Sequence, residues 1–192
     1  MNFVPLGELG VYAGAAAIST VSGPIARGWA QSLLPFVRNA NSDDERIWRI
    51  SSSVRQVGVL SLVILGAVAA TGWFLIPLLL GDRVDTDRLV WLLMILLPGA
   101  WATDVTQVLT TALTSFNRPE DSSKAQIASA VATAVGLLVL LSPYGVTGAA
   151  ITTSISYWVG LIVSYYYWRR LKGQVQRGEA TGHTERIEEP IA

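Results

Sequence analysis

Residues Val57 to Leu80 form 24 consecutive positions without a single Asp, Glu, Lys or Arg. At about 1.5 Å per residue such a run is long enough to cross the ~30 Å hydrocarbon core of a bilayer. A soluble helical bundle with buried core helices is the alternative. The run is too long and too uniformly apolar for that, because a soluble helix keeps a polar face toward water. The whole chain agrees: 51% of its 192 residues are hydrophobic and only 15% charged, against roughly 25% in an ordinary soluble domain.

Four further stretches have the same character. Five spanning helices are therefore expected, at 11–37, 57–80, 89–116, 125–141 and 146–168. The fold class is an all-α integral membrane protein, with a transmembrane domain over 1–172. The last two helices are separated by Ser142-Pro143-Tyr144-Gly145 and carry small residues at every fourth position: Ala128, Ala132 and Gly136 on one, and Gly148, Thr152, Ser156, Gly160 and Ser164 on the other. Small residues let helix backbones approach closely, so the two should form a tight hairpin. Before the second stretch, Ser42 and Glu45 have capping-box spacing, and Ile47, Trp48 and Ile50 give the segment an apolar face. A short interfacial helix running into the second span is expected, or equally a plain cytoplasmic extension of that span. From 173 to 192 the composition turns to Gln, Gly, Glu, Thr and Arg, as in a disordered tail.

Basic residues orient the chain. Arg38, Arg46, Arg49, Arg55, Arg118, Lys124, Arg169, Arg170, Lys172, Arg177 and Arg186 fall in segments on one side. The opposite side holds Arg83 and Arg88, beside Asp82, Asp85 and Asp87. The positive-inside rule puts the C-terminus in the cytoplasm and the N-terminus outside, in a multi-pass protein of the cytoplasmic membrane. Tyr165 to Trp168, just before Arg169 and Arg170, suit an interfacial anchor. An N-outside start without a basic leader is what a C-terminal piece of a longer protein would show.

The same composition narrows the chemistry. There is no cysteine, and the one histidine, His183, lies in the polar tail, so thiolate sites, His-based catalysis and multi-His metal sites are not expected. A net charge of +0 gives no field for nucleic acid. No catalytic residue, cofactor or metal ligand is assigned.

Two charges interrupt the spans. Arg27 lies about 24 Å along the first helix from Val11, and Asp104 about 22 Å along the third from Leu89, both deep in the bilayer. Thr20, Gly23, Pro24 and Gln31 share the face of Arg27; Gln107, Thr111 and Thr114 continue that of Asp104. Pro24 favours a kink, and Pro98-Gly99 could bend the third helix. Intramembrane charges pair with one another or line a watery cavity. Arg27 and Asp104 could simply neutralise each other. Alternatively Arg27, Gln31, Thr20, Asp104 and Gln107 line a cavity for an anionic substrate, which the planar fork of an arginine suits.

Leu9-Gly10-Val11-Tyr12, Leu34-Pro35 and Tyr144-Gly145-Val146-Thr147-Gly148-Ala149-Ala150, with the spacing of the helices, resemble polysaccharide flippases of the multidrug, oligosaccharidyl-lipid and polysaccharide exporter superfamily. The resemblance covers about residues 8–172 and rests on weak motifs. It implies most of the C-terminal bundle of a two-lobed transporter, with the first bundle and one helix missing. It implies a lipid-linked glycan as substrate, with Arg27 toward its pyrophosphate. The missing lobe and glycan-assembly enzymes would be partners beside the lipid bilayer. The alternatives are a drug or cation antiporter of the same superfamily, or a truncated membrane protein that transports nothing.

Overall fold

The structure is a computed structural model and describes residues 6–40, 42–80 and 85–177. All regular structure among them is helical: α1 (Leu6–Ser19), α2 (Gly23–Arg38), α3 (Asp43–Leu80), α4 (Thr86–Ser115) and α5 (Pro119–Gln176). Three of these, α3, α4 and α5, are long and apolar enough to cross a membrane, and α1 with α2 forms a candidate broken span bent by 41°.

The apolar stretches are divided differently from the expectation. The first is two helices, because the α-helix is interrupted by turns at Thr20-Val21-Ser22. Pro24 falls in the first turn of α2, where its missing N–H leaves no bond unmade. The Ser42–Glu45 segment is one helix with the second span: Ser42 Oγ accepts the Glu45 N–H at 3.2 Å, and α3 then runs 38 residues, about 57 Å. Its charged first third is more than a span of a ~30 Å hydrocarbon core requires. Pro98 does not interrupt α4, which is continuous to Ser115. Of the expected tail, 173–176 are the last turn of α5; 178–192, with His183 and Arg186, lie outside the described residues, as do Asp82 and Arg83.

The 58-residue α5 is folded back on itself. Gly145 has φ 54 and ψ −131, a backbone shape that side chains with a Cβ resist. Beyond it the arms run antiparallel. Ser129 Oγ donates to the Ser156 carbonyl at 2.9 Å. A Cβ on Gly136 would lie 2.5 Å from Thr152 Cγ2, and one on Gly148 would collide with the Leu140 carbonyl. Thr152, Ser156, Gly160 and Ser164 are buried along this seam. In lipid there is no water to expel between helices, so close backbone approach supplies the attraction as dispersion and hydrogen bonding.

Contacts fix the directions of the other helices. Gly58 of α3 lies beside Trp101 and Val105, and Gly72 beside Leu93, so α3 and α4 are antiparallel. Trp101 Nε1–H donates to the Gly58 carbonyl at 2.8 Å. Ser154 Oγ donates to the Ile95 carbonyl at 2.5 Å, Trp101 meets Trp158, and Phe116 meets Trp168, so α4 and the second arm of α5 are parallel. Arg88 and Glu8 form an ion pair of 2.9 Å between the starts of α4 and α1. One end of the bundle thus gathers the starts of α1 and α4 and the Gly145 bend. The other gathers the end of α2, the start of α3, the α4–α5 connection and the end of α5. Most of the described basic residues are at this second end.

Helix α4 is the hub. Of its apolar window 61% is buried, against 22% for α3 and 6% for α5. Its Leu92, Leu93, Val108, Leu109, Ala112 and Leu113 are sealed from the surface. The outside is correspondingly apolar: Val59, Leu62, Val63, Phe74, Ile127, Val131, Leu138 and Ile162 are exposed. Water penalises such a surface and lipid does not.

Candidate functional site

Helix α2 has three faces. Ser22, Gly23, Ala26, Ala30, Leu33 and Val37 are buried against the bundle. Ile25, Trp29 and Phe36 are exposed and apolar. Between these two stripes, at 3.6 residues per turn, lie Pro24, Arg27, Gly28 and Gln31, all exposed. The Arg27 guanidinium folds back over the first turn, its Nη2 3.9 Å from where a Cβ on Gly23 would sit. It therefore lies beside the break between α1 and α2. Thr20 is in that break, exposed, with its hydroxyl donating to the Ala17 carbonyl at 3.0 Å. The flank is thus made of a cation, an amide and a hydroxyl, next to a bent backbone.

Asp104 has the opposite setting. It is 2% exposed on α4, and its Oδ2 has no hydrogen-bond partner. No ion pair among the described residues joins it to Arg27, so mutual neutralisation is not what holds either charge. Gln107 is half-buried one turn further along. Of the five candidate residues, Arg27, Gln31 and Thr20 come together on one outer flank. Asp104 and Gln107 belong to the enclosed helix.

Most other hydroxyls of α4 and α5 are committed to backbone. Thr103, Thr106, Thr110 and Thr114 donate to carbonyls of α4 itself, and Thr133 to that of Ser129. Thr103, Thr106, Ser129 and Thr133, with Gln126 and half-buried Tyr157, line a groove of about 300 Å³ between α4 and the two arms of α5. Sequence reasoning passed over this groove. The residues are spread over three segments, and only the hairpin geometry joins them. No group of three or more His, Cys, Asp or Glu residues that could hold a metal occurs among the described residues.

No protein-family model matches this chain, and no match was found among curated proteins or among solved structures. The functional reading therefore rests on the faces of α2 and α4.

Proposed function

We infer that the chain is part of a flippase that carries a lipid-linked oligosaccharide or polysaccharide across the cytoplasmic membrane, with no bond chemistry. The observation that carries this reading is the exposed flank of α2. An arginine standing outward on an apolar bundle at mid-depth is costly in lipid, and such residues face a bundle interior or a watery cavity. Arg27 and Gln31 are exposed between a buried stripe and an apolar stripe, so a cavity at that flank would be closed by a further lobe. A guanidinium in such a cavity offers paired N–H donors to a pyrophosphate. The break at Thr20-Val21-Ser22 supports the same use, because an interrupted helix at membrane depth is tolerated where it lines a cavity.

One observation favours a second reading, a drug or cation antiporter. Asp104 is buried with an unpartnered carboxylate oxygen, and intramembrane acids mark ion and proton paths. Under either reading the basic end of the bundle faces the cytoplasm. Cells lacking this gene, complemented with wild type, Arg27→Lys or Arg27→Ala, test the flippase reading. Lipid-linked sugar should accumulate on the cytoplasmic leaflet with Ala, and partly with Lys. Full export with Arg27→Ala overturns the assignment, and loss of drug resistance without sugar accumulation transfers it to the antiporter. The chain alone in liposomes should not flip, since α2 then has no facing lobe. Orientation is checked separately with Gly173→Cys and Asp85→Cys: an impermeant thiol reagent should reach only position 85 from outside intact cells.

A further inference from the structure

At the basic end, away from the α2 flank, the start of α3 and the end of α5 enclose a hollow of about 670 Å³. The apolar part of its floor is Val54 and exposed Tyr165, backed by buried Leu109 and Trp168, beside polar Ser51 and Gln176. Its rim is cationic, with Arg169 and Lys172, and no acid among the described residues lines it. A second hollow of about 420 Å³ shares Arg169 and Gly173 with the first, and adds Arg170 and Arg177. A Cβ at Gly173 would meet nothing within 4 Å, so the shared wall is open. None of these four cations has an ion-pair partner among the described residues. Arg46, Arg49, Arg118 and Lys124, at the same end, all do.

The position of the hollow selects its occupant. Tyr165 and Tyr166 are exposed one turn before Arg169, at the level where aromatic side chains mark the membrane–water boundary. A soluble anion would find cations there and no use for the apolar floor. A lipid brings both a phosphate for the rim and a chain for the floor. We propose that this hollow binds the headgroup of an anionic phospholipid of the cytoplasmic leaflet, with the phosphate between Arg169 and Lys172 and the upper acyl chain over Val54 and the exposed ring of Tyr165. The volume falls in the range of pockets that hold small ligands, roughly 300–1,000 Å³. Four unpaired cations converging on two joined hollows distinguish it from the diffuse charge of a cytoplasmic face.

The test uses the full chain in detergent micelles, with phosphatidylglycerol and phosphatidylcholine as probes and native mass spectrometry as the readout. Wild type should retain phosphatidylglycerol in preference. Arg169→Gln with Lys172→Gln should lower that preference by about tenfold to thirtyfold. Arg118→Gln with Lys124→Gln removes the same charge at the same end and should leave it within about twofold. The swap Arg169→Lys with Lys172→Arg guards against misfolding and should keep most of the preference. Equal losses in both Gln pairs would mean only diffuse surface charge and overturn the proposal. An unchanged preference in the first pair overturns it too. Displacement of the lipid by inorganic phosphate at comparable concentration would show that the apolar floor contributes nothing, and would also overturn it.

Discussion

Helices α2 and α4 carry the two charges of the apolar bundle and treat them in opposite ways. On α4 most of the apolar length is turned inward. Its leucines are sealed, most of its threonines donate to its own carbonyls, and Asp104 is enclosed with an oxygen unpartnered. On α2 the buried stripe is narrow, and Arg27 and Gln31 stand outside it. A charge on the hub is a cost to the fold, which must be outweighed by the packing around it. A charge on the outer flank costs this bundle little and makes a demand on whatever lies beyond. Depth along a helix gives both residues equal standing, and the azimuth separates a structural liability from a surface built for something else.

The largest contrast should come from one substitution made on each helix. A Cβ at Gly99 of α4 would sit 2.8 Å from Ser154 Cα, a backbone atom that cannot swing away. Gly99→Ala should destabilise by about 1–3 kcal/mol, read as a lower thermal midpoint of the purified protein. Gly28 of α2 has nothing within 4 Å, so Gly28→Ala should stabilise by about 0.5–1 kcal/mol through helix propensity. Equal responses would mean that α2 is covered as α4 is.

The charges themselves come next. Asp104→Leu should keep or raise stability, by roughly 1–3 kcal/mol, because it removes a buried group whose hydrogen bonding is incomplete. Arg27→Leu should leave protein level near wild type. A double-mutant cycle with Arg27→Ala and Asp104→Ala sharpens this: unpaired residues should be additive within about 0.5 kcal/mol. A larger coupling would restore the ion pair that the structure lacks.

The smallest effect sets the scale for a charge outside the bundle. Lys124 bonds Asp121 at 3.0 Å, and that carboxylate holds its amine above the ordinary 10.5. A raised folded value means stabilisation that is complete below about 10.5 and fades as pH rises through the folded value. This pair should give no slope in the thermal midpoint between about pH 6 and 9. Lys124→Met should flatten only the alkaline limb, by a few degrees at most.

The all-helical, apolar character and the hairpin were legible in the sequence, while the division into five spans was not. The hairpin's Pro143-Tyr144-Gly145 turn and four-residue small stripes have local physical causes, and Gly145 with Thr152, Ser156 and Gly160 sits accordingly. Other features depended on neighbours and were not legible. Pro24 reads as a kink inside a helix, yet it opens a new one, because the break comes earlier at residues that are not helix breakers in themselves. Pro98 reads as a bend or a break, yet α4 continues as one helix through it, with Gly99 packed closely on Ser154. Arg27 and Asp104 read as an ion pair or as two walls of one cavity because a helical rise gives depth, while rotation about each axis is set by tertiary contacts. The unpaired cations of the end of α5 read only as an orientation signal, since the hollow between them needs α3 and α4 for its floor.

The central claim is that the Arg27 flank of α2 meets water in the membrane. The chain has no cysteine, so single-cysteine variants report cleanly. Arg27→Cys and Gln31→Cys, compared with Ile25→Cys and Trp29→Cys on the neighbouring apolar face, can be labelled in native membranes with a charged thiol reagent. Fast labelling is predicted at 27 and 31, slow labelling at 25 and 29, and protection by a pyrophosphate-linked lipid at 31, where Arg27 is still present. Labelling at 27 as slow as at 25 and 29 would place this flank against lipid or protein and contradict it.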